Sequence, residues 1–159
     1  MNPTVYNLAL VMHIVGITLM AGATAVEYIT FRQFWKTIPS DKGKGMVIWR
    51  TISDYQKMMG IGMLIIIIGG VVMMYYLHEA WGAQLWFRIK FGLVILVIIN
   101  GLGIRRILGS RLSKLLAAMR PVYERTPSTL RIRGYIQVVH WIQLVLFLAI
   151  YILSIFKFV

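Results

Sequence analysis

Two histidines, a glutamate and an asparagine stand inside otherwise apolar stretches of this chain: His13, Glu27, Asn100 and His140, with Arg88 and Lys90 near one end of a third stretch. An ionisable group in hydrocarbon is costly, so each needs a partner or a purpose. In the first stretch His13, Gly16, Met20, Ala23 and Glu27 recur at three- and four-residue steps, which puts them on one helix face directed into a bundle. His140, Gln143, Phe147, Tyr151 and Ser154 repeat the pattern in the last stretch. Two readings of His13 stand side by side: an imidazole bonded to a neighbouring helix, or a ligand to a metal or haem iron. For His140, beside Trp141 near an interface, the structural reading carries more weight. Glu27 can pair with Arg105 or His140 as structural glue, the favoured role, or carry protons. His78, next to Glu79, reads as a solvated loop residue.

Other chemistries lack their residues. The chain has no cysteine, which removes disulfides and thiolate metal sites. It shows no catalytic triad, carboxylate pair, phosphate loop or zinc spacing, which argues against hydrolase and nucleotide chemistry. Met58, Met59, Met63, Met73 and Met74 do not share a face, so they do not read as a copper site. Whether the protein is an enzyme stays open.

The elements that must position these residues are membrane spans. Hydrophobic residues make up 59% of the 159, the mean hydropathy is +0.76, and a helix needs roughly 20 apolar residues to cross ~30 Å of hydrocarbon. Spans are predicted at about 5–31, 58–77, 86–104 and 135–156, giving an all-α integral membrane four-helix bundle in one domain. A soluble bundle would need a polar face on every helix, and MLIIIIGGVVMM, from Met63 to Met74, has none. The first span lacks the basic leader of a secretory signal and reads as a retained helix. At ~1.5 Å per residue, His13 and Lys90 fall at a similar level in one half of the bilayer. His140 falls near Asn100 in the other half, one to two turns from Glu27. Roughly 15 Å then separates the two histidines along the membrane normal, too far for one haem iron to use both.

The net charge of +12 is unevenly placed. The first connector carries Arg32, Lys36, Lys42, Lys44, Arg50 and Lys57 against Asp41 and Asp54, and the third is richer still, from Arg105 to Arg133. The short second connector holds only Glu79. By the positive-inside rule the first and third connectors are cytoplasmic, with both termini on the opposite side. The basic charge is expected to face anionic lipid, at about 1 kcal/mol per residue, and not nucleic acid. Trp81 and Trp86 at one boundary, and Trp35, Trp49, Tyr55, Tyr123 and Tyr135 at the other, read as interfacial anchors. Asn2, Pro3 and Thr4 start the first helix, and the run Pro39 to Gly45 breaks it into a mobile turn. Leu108, Leu112, Leu115, Leu116 and Met119 form an amphipathic helix, either interfacial or continuing the third span, which Pro121 ends. Pro127, Ser128 and Thr129 start the last helix ahead of its apolar part. Gly62, Gly69 and Gly70 permit close helix approach.

The run HIVGITLMAG from His13 to Gly22, a basic connector leading into a glycine-bearing second helix, and Trp86-Phe87-Arg88-Ile89-Lys90-Phe91-Gly92 followed by Asn100 and Arg105-Arg106 together cover most of the chain. In this order the features resemble a family of small four-helix bacterial membrane modules that includes the copper-resistance D domain and the HemJ type of protoporphyrinogen oxidase. The resemblance implies that His13 and Lys90 correspond to a first-helix histidine and a third-helix lysine of such modules. It also implies b-type haem (haem b) near them and a bacterial inner membrane location. Two departures, around Met20-Ala21 and at Glu27, set the chain apart from protoporphyrinogen oxidation as such. The leading expectation is a haem-binding membrane protein for electron transfer or oxidation of a small lipophilic substrate, with His13 as axial ligand and Lys90 or Arg88 pairing with a propionate. The alternative is a cofactor-free homo-oligomeric channel or transporter lined by His13, Glu27 and His140, or a structural subunit.

Overall fold

A computed structural model of the protein describes residues 3–82, 84–118 and 123–156, apart from the side chains of 78–81. Asn2, Met119 and Pro121, and the side chains of His78, Glu79 and Trp81, therefore lie outside the described residues. The elements are α1 (Pro3–Thr37), α2 (Lys42–Trp81), α3 (Leu85–Ile98), a π-helical turn (Ile99–Ile104), α4 (Arg105–Ala118) and α5 (Pro127–Ile155). With α3, the π-turn and α4 continuous, four helical rods result, each long and apolar enough to cross a membrane. The fold is an all-α four-helix bundle, and the protein is a multi-pass membrane protein.

The helices outrun the bilayer. At ~1.5 Å per residue, α1 with its 35 residues extends ~52 Å and α2 with its 40 extends ~60 Å, against ~30 Å of hydrocarbon. Most of the predicted first connector is thus helix, and the turn between α1 and α2 is confined to residues 38–41. Asp41 caps α2 by accepting a hydrogen bond from the Lys44 backbone N–H at 2.9 Å, and that bond holds its carboxyl below the ordinary aspartate range. Gly45 is required by the turn, since a Cβ there would lie 2.9 Å from Ile38 Cα. Of the two expectations for the amphipathic stretch, the continuation holds: Leu108, Leu112 and Leu116 are buried while Arg111 and Lys114 are exposed. At the start of α5 Thr126 closes a capping box with Thr129, and Pro127 takes a position where a missing N–H costs nothing.

Two apolar clusters hold the rods together. Towards the end that carries the basic connectors, Phe31, Phe34, Trp35, Trp49, Ile52, Leu112, Leu116 and Tyr123 pack with Ile136 and Val139. Farther along, Met20, Ala23, Met59, Met63, Val97, Phe147 and Ile150 form the second cluster. The expected aromatic belt is corrected here: Trp35, Trp49, Tyr123 and Trp86 are buried. Because the helices pack together beyond the apolar spans, Trp35, Trp49 and Tyr123 fill core there, and Trp49 Nε1 donates to Ser113 Oγ at 2.9 Å. Tyr135 remains exposed, as an anchor would be. The most extensive interface joins α1 to α2, and glycines allow it. A Cβ on Gly16 would meet Gly62 O at 2.8 Å, and one on Gly69 would meet Ala9 O at 2.8 Å.

Candidate functional site: a buried ion pair and a half-buried histidine

The face expected on α1 does turn inward: Gly16, Met20, Ala23 and Glu27 are buried and His13 is half-buried. On α5 His140, Gln143 and Phe147 are buried, but Tyr151 is exposed. These faces build a polar centre between the two apolar clusters. Glu27 is 0% exposed, and Arg105 and His140 are each 2% exposed. Arg105 Nη2 donates to Glu27 Oε1, and Gln56 Nε2 donates to the same oxygen at 3.1 Å. His140 Nε2 lies 3.6 Å from the other oxygen, Oε2. His140, expected one to two turns from Glu27, is thus in direct contact with it.

The second tier of this centre consists of amides. Asn100 Nδ2 donates to Val139 O at 2.9 Å and to Gln143 Oε1 at 2.7 Å. Gln143 Nε2 in turn donates to Val97 O at 3.4 Å. Asn100 and Arg105 can serve the same centre because of the π-turn. Residues five apart point ~140° from each other on a regular α-helix, whereas the i to i+5 hydrogen bond of a π-turn brings them round to one side. The Arg105 backbone N–H donates to Asn100 O accordingly. Gly109 makes room for the guanidinium, since a Cβ there would lie 2.9 Å from Arg105 Nη1. A cavity of about 10 Å³ adjoins Glu27, Asn100, Arg105, His140 and Gln143, room for about one water molecule.

The sequence reading missed Gln56, which sits in a predicted connector, and counted Arg105 first as a connector charge. The signal available for the π-turn was Asn100-Gly101-Leu102-Gly103, an asparagine and two glycines breaking an apolar run. Glycines weaken α-helix locally and make such an insertion cheaper.

His13 belongs to a separate layer. Fourteen residues along α1, at ~1.5 Å each, place it ~21 Å from Glu27, so the two histidines lie in different polar layers. His13 Nδ1 lies 3.1 Å from the Ile66 carbonyl of α2. A carbonyl only accepts, so Nδ1–H donates and Nε2 keeps the lone pair. A Cβ on Gly70 would come within 3.6 Å of the His13 ring, so the imidazole lies against bare α2 backbone. The Lys90 ammonium on α3 is within electrostatic range of His13, as their equal depth suggested. Arg88 instead secures the loop before α3, with its Nε donating to Gly82 O at 3.2 Å.

Among the described residues no three His, Cys, Asp or Glu side chains converge as a metal cage. A porphyrin brings four nitrogens of its own, so that geometry bears on bare ions and not on haem. Compared with protein-family models, curated proteins and solved structures, the chain matches none of them.

Proposed function

We propose that this protein is a redox module of a bacterial inner membrane that binds b-type haem through His13, with the basic ends of its helices in the cytoplasm. The carrying observation is the fixed imidazole. With Nδ1 committed to the Ile66 carbonyl, Nε2 is the nitrogen left to bind iron, and such a carbonyl partner raises ligand basicity and holds the ring in one orientation. The residues fit haem on a flank of the bundle, since the cavity beside the buried ion pair is water-sized. On that flank α3 is lightly packed: between Leu85 and Leu96 only Trp86 is buried. Lys90 supplies a cation for a propionate at the level of His13. Arg88, two residues before it on the same helix, is the other candidate for that role. Bound haem supplies one-electron chemistry, suited to electron transfer or to oxidation of a small lipophilic molecule.

The test is the absorption spectrum of protein purified in detergent after expression with haem precursor, before and after dithionite. A Soret band with reducible α and β bands, lost in His13→Ala and weakened in Lys90→Met, is expected. A colourless, folded wild type overturns the proposal. The second reading, an oligomer that passes ions without a cofactor, is favoured by the buried charges at Glu27 and Arg105. It predicts flux into vesicles that Glu27→Gln abolishes.

A further inference from the structure

The contact between Glu27 and His140 sets two acceptors against each other. His140 Nδ1 lies 2.9 Å from the carbonyl oxygen of Ile136, one turn back on its own helix. Since a carbonyl has no hydrogen to give, Nδ1–H is the donor, and a neutral imidazole then carries its lone pair on Nε2. That lone pair faces Glu27 Oε2 at 3.6 Å. A carboxylate is an acceptor too, and neither atom has any other hydrogen-bond partner among the described residues. Both side chains are almost wholly withdrawn from solvent, where unmet acceptors are costly. One hydrogen placed between them removes the conflict and makes a charge-assisted bond.

The surrounding charges set how firmly that hydrogen is held. Arg105, from the junction of the π-turn and α4, faces Glu27 with its guanidinium on Oε1. From α1 the other titratable neighbour is Tyr28, whose ring meets His140 edge-on at a centroid distance of 5.9 Å. Gln56 from α2 and Gln143 from α5 bring uncharged amides. Without the extra proton the centre is formally neutral, as Arg105 and Glu27 cancel, but holds two facing acceptors. With it the acceptors are satisfied, but the centre carries one positive charge inside a membrane domain. Each state therefore has one defect, which is the condition for a proton that comes and goes.

We propose that Glu27 and His140 form a binding site for a single exchangeable proton, held between Oε2 and Nε2 and delivered through water in the adjoining cavity. The step is simple: a hydronium gives its proton to Nε2 and leaves as water, and no electron moves. The cavity of about 10 Å³ beside these residues has room for about one such water. The π-turn brings Asn100 and Arg105 to one side, beside the cavity.

The histidine nitrogens themselves report the site. The chain has three histidines, so a ¹⁵N-histidine spectrum in lipid bilayers from pH 5 to 9 is readily assigned with His13→Ala and His78→Ala. The expected result is a His140 ring protonated on both nitrogens at the acid end and on Nδ1 alone at the alkaline end. Glu27→Gln, which keeps the shape and removes the charge, is expected to lose the doubly protonated form of His140 under acidic conditions where the wild type keeps it. A His140 ring in one form throughout this range overturns the proposal, as does a neutral form protonated on Nε2. A Glu27→Gln protein that titrates like the wild type overturns the role of Glu27. Should that variant fail to fold, the wild-type titration and its tautomer decide by themselves.

Discussion

Replacing Gly69 by alanine tests whether the α1–α2 contact fixes the His13 ring. An added Cβ at this position lies 2.8 Å from Ala9 O and 3.1 Å from His13 N, against an ordinary contact that begins near 3.4 Å. Both obstacles are backbone atoms, so no side chain can swing aside and the helices must part by about 0.6 Å, the difference between 3.4 and 2.8 Å. If that displacement falls along the His13–Ile66 hydrogen bond, its 3.1 Å length grows to about 3.7 Å, beyond hydrogen-bonding range. Overpacking of this kind costs about 1–3 kcal/mol. Alanine also gains about 0.5–1 kcal/mol over glycine in any helix, and Gly60→Ala serves to remove that gain by subtraction. Gly60 lies on the same helix with nothing within 4 Å of its would-be Cβ. Helicity followed by circular dichroism during denaturation in mixed micelles should place Gly69→Ala about 1–3 kcal/mol below Gly60→Ala, with the ¹⁵N signal of His13 Nδ1 shifted as its hydrogen bond is lost. Equal stabilities and an unmoved His13 signal would refute the reasoning.

Three further expectations concern charge. Arg105→Met leaves Glu27 buried without its main partner and should lose about 3–5 kcal/mol, whereas the double variant with Glu27→Gln should recover most of it; equal losses in the single and double variants would show that packing, not charge, dominates. Asp41 has a carboxyl held below its ordinary value by the Lys44 N–H. Its cap therefore contributes fully above the unfolded pKa and is lost as pH falls through the lower folded value. Protection of the Lys44 amide, its exchange rate relative to the intrinsic rate at each pH, should fall with acidification in the wild type but stay level in Asp41→Asn, which caps without titrating. For the orientation, the cysteine-free chain allows single labels: Ser40→Cys should react only with a reagent on the cytoplasmic side and Gln84→Cys only with one outside, and the reverse pattern would invert the topology.

The membrane class, the number of rods and the inward faces of α1 and α5 follow from one-dimensional properties. An apolar run of bilayer length must span, and a three-to-four residue period must share a face. So His13, Glu27, Asn100 and His140 were legible as residues in need of partners, and Arg105 and His140 as candidates for Glu27. Where the helices stop was not legible, since α1 and α2 continue past the apolar runs on contacts made by Phe34, Trp35 and Trp49. Trp35 and Trp49 read as headgroup anchors because an aromatic at a span boundary has identical composition whether it meets lipid or another helix. Tertiary structure alone decided that Arg105 belongs to the centre, because its direction depends on the π-turn at Ile99–Ile104. Depth along a straight helix can be counted, but azimuth around it is lost once a turn departs from 3.6 residues. That rotation turned two residues five apart, Asn100 and Arg105, to one side, where Arg105 bonds Glu27 and Asn100 bonds Val139 and Gln143.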